Sequence, residues 1–114
     1  MLFRSIATFE GVSFKLAEMY AALDAARQLT YRTAKMIEAG VAAQRESAVT
    51  KLFAAESVWK IVDHAMQVLG GIGYTSDFPI QQIFRSARLM RIGAGSDEIM
   101  KFLIAREILK EIKG

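Results

Sequence analysis

The chain has 114 residues, 53% of them hydrophobic, a formal net charge of +3 and no cysteine. That length suits one domain with a single core over residues 1–114, and the missing cysteines exclude disulfides, Cys-based zinc sites and thiol catalysis, leaving a cytoplasmic location as the default. The 15 Lys and Arg are interleaved with 12 Asp and Glu, an arrangement that argues against nucleic-acid binding, and no apolar run is long enough for a signal segment or membrane insertion.

From Val12 onward, Val12, Leu16, Met19, Leu23, Ala26, Thr30, Thr33 and Ile37 follow at alternating spacings of four and three, which places them on one helical stripe. The spacing predicts a first long helix from about Glu10 to Glu38, closed by Gly40. A second helix repeats the alternation at Ala48, Leu52, Ala55, Trp59, Val62, Met66 and Leu69, and stops at Gly70-Gly71. After a polar loop, Pro79 opens a short third helix with Ile80, Ile83, Phe84, Ala87 and Met90 expected inward. Gly93-Ala94-Gly95 breaks the pattern. Ser96 is suited to cap a last helix whose first turn carries Asp97 and Glu98, with Ile99, Phe102, Leu103, Ile108 and Ile112 expected to be buried. No sustained period-two alternation is visible, so the expected class is all-α, an up-and-down helical bundle. Helices this apolar are expected to bury surface against a partner, as a homo-oligomer or in a larger complex.

Gln67-Val68-Leu69-Gly70-Gly71-Ile72-Gly73-Tyr74, then Phe78-Pro79, Arg85-Ser86-Ala87-Arg88 and Ile92-Gly93-Ala94-Gly95-Ser96-Asp97-Glu98-Ile99 resemble, in order and spacing, the C-terminal signature of acyl-CoA dehydrogenases. Phe14-Lys15-Leu16-Ala17-Glu18-Met19 and Ala48-Val49-Thr50-Lys51-Leu52-Phe53-Ala54 fit the helices leading to it. The resemblance covers nearly the whole chain but only about the last third of a typical family member, and it implies a bundle with one helix missing.

By that resemblance the chain contributes part of a site for FAD and an acyl-CoA thioester. The Gly70-Gly71 turn and Gln67 would approach the FAD of a neighbouring subunit; the bland reading of the same residues is a helix stop and a surface amide. The loop Gly93 to Ser96 would border the flavin and the substrate. There the Ala94 N–H would hold the thioester carbonyl, Gly93 would line the substrate, and Ser96 and Glu98 would lie toward the cofactor. Without the family context, Ser96 reads simply as a helix cap.

Acyl-CoA dehydrogenation needs a base to remove the proton beside the thioester carbonyl. Many members carry a glutamate where this chain has Ala94, and isovaleryl-type members supply the carboxylate from the preceding helix, so no catalytic residue is identified here. Glu10 stands where many members have glutamine, Ser86 where they have aspartate, and Leu2-Phe3-Arg4 keeps little of the family's Arg and aromatic-Gly turn. His64 lacks ligand partners at metal spacing and reads as a polar helix residue, Trp59 reads as packing, and Arg85 with Arg88 fits either surface pairing or a subunit contact. Two functions follow: a dehydrogenase-derived bundle completing a FAD and acyl-CoA site with the missing domains, inactive alone, or a non-catalytic homo-oligomerisation module.

Overall fold

A computed structural model describes residues 5–114, and the Leu2-Phe3-Arg4 departure lies outside them. Four α-helices follow one another: α1 Glu10–Glu38, α2 Gln44–Leu69, α3 Ile80–Leu89 and α4 Asp97–Lys113. Short 3-10 turns at Ile6–Thr8 and Gly70–Tyr74 precede α1 and continue α2, the second lying where the sequence suggested a loop. The all-α class is therefore as expected, and α1 has the bounds its periodicity predicted. Gly40 at φ 73° closes it.

α2 is the centre of the assembly. α1 folds back on it after residues 39–43, so the two run antiparallel. Thr33 and Thr50 hydroxyls join across this seam at 2.7 Å, and His64 Nε2 lies 3.1 Å from Glu18 Oε2 further along. α4 also packs on α2 and runs back along it, since Arg45 at the start of α2 pairs with Glu111 near the end of α4. α1 and α4 do not pack against each other, and α3 packs on α2 alone among the helices. The bundle is consequently open. Its radius of gyration is 17.9 Å, where a compact domain of this length has roughly 13 Å.

The core is made of small residues: Ala26, Ala43, Ala48, Ala55, Val62, Ala87 and Met100, with Thr33, Ser57 and Asp97 buried beside them. No large side chain among the described residues is fully buried. This openness explains where the expected faces differ from the observed ones. On α1, Val12, Met19, Leu23, Ala26 and Thr33 are buried or half-buried as expected, but the flank beside them is Lys15, Ala22, Leu29 and Met36, while Leu16, Thr30 and Ile37 are exposed. A helix covered by one neighbour buries one narrow seam, and the second apolar flank faces the open side.

α4 deviates for the same reason. Asp97, Met100, Leu103, Ile104 and Glu107 face inward or are half-buried, whereas Ile99, Phe102, Ile108 and Ile112 of the expected buried side are exposed, Ile112 to 75%. On α3, Ile80, Phe84 and Ala87 turn inward but Ile83 and Met90 are exposed, and on α2 only Leu69 departs from its stripe. Trp59 packs on Phe84 with ring centroids 4.6 Å apart, and Arg88 stands 5.9 Å from the Trp59 ring, so Trp59 is a packing residue.

Candidate functional site

The segment between α3 and α4 is held from three directions. At its base, Asp97 N–H donates to the Arg91 carbonyl at 3.0 Å and Arg91 Nε donates to Asp97 Oδ2 at 2.7 Å, closing residues 91–97 into a short excursion. That carboxylate holds the Arg91 guanidinium above its ordinary range. Asp97 itself is buried, and its Oδ1 has no hydrogen-bond partner. At the α3 side, Ile92 and Gly93 N–H donate to the Leu89 carbonyl at 2.9 and 2.8 Å. At the α4 side, Ser96 is the N-cap, its Oγ accepting from Ile99 N–H at 3.3 Å.

Beneath the excursion lies Lys51 of α2. Its Nζ donates to the carbonyls of Met90 at 2.7 Å, Gly93 at 3.0 Å and Gly95. The backbone above it is forced into unusual shape: Ala94 has φ 53° and Gly95 φ 95°. A non-glycine residue in the left-handed region costs roughly 1–2 kcal/mol, so Ala94 is held there by its surroundings. A Cβ at Gly95 would come within 2.6 Å of Met100 Cε, which together with its φ requires glycine.

Trans peptide geometry sets C=O and N–H on opposite sides of the chain. With the Gly93 and Gly95 carbonyls turned down to Lys51, the Ala94 and Ser96 N–H groups are turned away from it, and neither has an acceptor among the described residues. Ala94 is exposed and Gly93 half-buried. On the α2 side the loop edges an apolar cleft of about 500 Å3 floored by Ala54, Ala55 and Val58.

The second predicted place is the end of α2. Gln67, Gly70 and Gly71 are all exposed. Gly70 has φ 67° and ψ −151°, a combination essentially confined to glycine. Gly71 is different: its φ is not positive and a Cβ there would meet nothing within 4 Å, so the fold itself does not require glycine. Gly73 is buried, and a Cβ there would lie 2.8 Å from Leu69 Cβ.

Positions 51 and 67, beneath the loop and before the glycine turn, are sixteen residues apart on one helix, about 24 Å along its axis. No single ring system touches both. Glu98 is exposed on the first turn of α4, beside Ser96. Arg85 borders a wider cleft of about 870 Å3 with Met66, Tyr74 and Ile92. The sequence reading singled out every loop residue but not Lys51 or Arg91, whose partners are fixed only by the fold.

The family profile described as "Acyl-CoA dehydrogenase, C-terminal domain" matches residues 2–109, and the chain belongs to the acyl-CoA dehydrogenase family. It is 40% identical over 107 residues to the 3-(aryl)acrylate reductase of Clostridium sporogenes, covering 94% of this chain and 28% of that protein. To the mitochondrial isovaleryl-CoA dehydrogenase of Oryza sativa it is 38% identical over 108 residues, 95% of this chain and 26% of the relative. Among solved structures, the butyryl-CoA dehydrogenase of Megasphaera elsdenii superposes with a TM-score of 0.91 at 28% identity, over 96% of this chain and 28% of that one. An acyl-CoA dehydrogenase from Slackia heliotrinireducens gives 0.90 at 30% identity, over 95% and 29%. The chain thus spans little more than a quarter of its relatives' length. No helix among the described residues is long and apolar enough to cross a membrane.

Proposed function

We propose that the chain supplies the C-terminal bundle of a FAD-dependent enzyme that dehydrogenates acyl-CoA thioesters, acting together with the domains its relatives carry beyond this region. One observation carries the reading: the loop turns the N–H groups of Ala94 and Ser96 away from Lys51, and neither has an acceptor among the described residues. Such donors suit an oxygen that gains negative charge, as the thioester carbonyl does when the neighbouring carbon loses its proton. Gly93 and Ala94 line the thioester; Ser96 and Glu98, next along the chain, face the cofactor.

The residues fit one wall of a flavin site. At the other end of α2, the open backbone of Gly71 and the exposed amide of Gln67 allow a nucleotide to lie against the main chain, with Gly70 making the turn. The resemblance assigns the nucleotide at the glycine turn to a neighbouring subunit, separate from the flavin beside the loop. When bound, FAD accepts the hydride leaving the substrate. Ala94 offers a methyl group where a proton acceptor is needed, so the base comes from outside this chain.

Co-expression with the polypeptide bearing the remaining dehydrogenase domains tests the reading. A stable complex with a flavin absorbance band that acyl-CoA bleaches is expected; a colourless, non-associating mixture refutes it. The uncovered apolar residues of α1 and α4, such as Phe14 at 61% and Phe102 at 61% exposure, favour a second reading as a homo-oligomeric helical module. Ultracentrifugation of the chain alone separates them, since a monodisperse monomer rejects the module.

A further inference from the structure

We infer that Lys51 is a positioning residue: its ammonium fixes the direction of the peptide groups in the loop, so that the Ala94 and Ser96 N–H groups face outward. This rests on the reading of the loop as the thioester's binding edge, and it adds the group that makes the loop competent.

An ammonium has three donors. Here all three are used, on Met90, Gly93 and Gly95 carbonyls that converge from a single irregular stretch. Those carbonyls find no other donor, because the loop's own backbone bonds run to Leu89 and Arg91 instead. Lys51 is half-buried between α2 and the loop, so its charge is spent on main-chain dipoles and makes no ion pair among the described residues. Taking it away leaves the Gly93 and Gly95 carbonyls without a partner. Glycine on both sides of Ala94 gives the 93–94 and 95–96 peptides freedom to rotate, which would turn the N–H groups inward and the carbonyls toward the substrate. The Arg91–Asp97 pair cannot prevent this, since it fixes only the ends of the excursion.

The cationic end has a second consequence. Charge placed on the carbonyl side of two peptides polarises their N–H groups in the direction that favours a developing oxyanion beyond them. A neutral side chain of the same length would fill the space and supply neither effect.

The test uses two measurements by NMR, the first on the 114-residue chain. In the first, a Lys51 ammonium held by three carbonyls exchanges its protons at least about tenfold more slowly than exposed Lys35. Lys51→Met then shifts or broadens the Ala94, Gly95 and Ser96 amides while the far-ultraviolet circular dichroism stays helical. A Lys51 ammonium exchanging as fast as Lys35 overturns the inference without any variant, as do loop amides unmoved in a folded Lys51→Met chain.

The second measurement, on the selectively labelled complex with the remaining dehydrogenase domains, adds butyryl-CoA and, separately, its thioether analogue lacking the carbonyl. A response of the Ala94 amide to the thioester alone, lost in Lys51→Met, supports both the clamp and the reading beneath it. Positive results in the first measurement with no thioester response in the wild type support the clamp and count against thioester recognition by this loop.

Discussion

Replacing Gly95 by alanine tests whether the loop is dictated by this chain's own fold. The alanine would have to adopt φ near 95°, at roughly 1–2 kcal/mol, and its Cβ would lie 2.6 Å from Met100 Cε. Met100 Cε is the far end of a flexible side chain, so moving it adds at most about 1.5 kcal/mol, the cost of an unfavourable rotamer. The sum is roughly 1–3.5 kcal/mol, or a melting temperature lower by about 4–14 °C for a chain of this size. Thermal denaturation followed by circular dichroism reads this directly. Gly71→Ala is the control: with open space around it and no positive φ, it should melt within about 2 °C of the wild type, or slightly above it. Equal melting of Gly95→Ala and the wild type, or an equal drop for Gly71→Ala, would refute the assignment of one glycine to the fold and the other to what lies outside it.

Ser96→Ala removes the cap of α4 and should cost about 1 kcal/mol in urea denaturation. Ala94→Gly relieves a left-handed alanine and should stabilise the chain by roughly 0.5–1 kcal/mol, net of the freedom glycine gains when unfolded. Glu46 is held below its usual range by its own backbone N–H and then by Arg45, and Glu107 by Lys110. A carboxylate depressed in the folded state contributes stability that is complete above the ordinary value of 4.5 and lost as pH falls below it. Melting temperature should therefore fall on acidification through that window, and the Glu46→Gln, Glu107→Gln double variant should show a shallower fall; an identical slope contradicts the assignment.

Local signals carried much of the architecture. Helix bounds at Glu10 and Glu38, the stop at Gly40 and the cap at Ser96 depend on residues within one turn, so the sequence displays them. Faces were less legible. Leu16, Thr30 and Ile37 satisfy a bundle pattern as well as Lys15, Leu29 and Met36 do, and only the position of α2 decides which flank is covered. On α4, apolar residues surround the helix, and of the side chosen by pattern the fold covers Leu103 but leaves Ile99, Phe102, Ile108 and Ile112 open.

At the site, the family signature marked Gly93 through Ser96 but gave no reason for their orientation. That reason is Lys51, more than forty residues earlier, joined to the loop by contacts that no spacing rule encodes. The left-handed Ala94 was equally invisible, because alanine carries no preference for that conformation.

The most direct measurement takes the Ala94 N–H donor out of the loop. Semisynthesis with L-lactic acid in place of Ala94 turns the 93–94 amide into an ester, removing the N–H while keeping the methyl group and chain path. In the complex assembled with the remaining dehydrogenase domains, flavin content should be unchanged, and the rate of acyl-CoA-dependent bleaching should fall about a hundredfold or more, as for loss of one oxyanion donor. Bleaching at the rate of the all-amide protein would contradict the account.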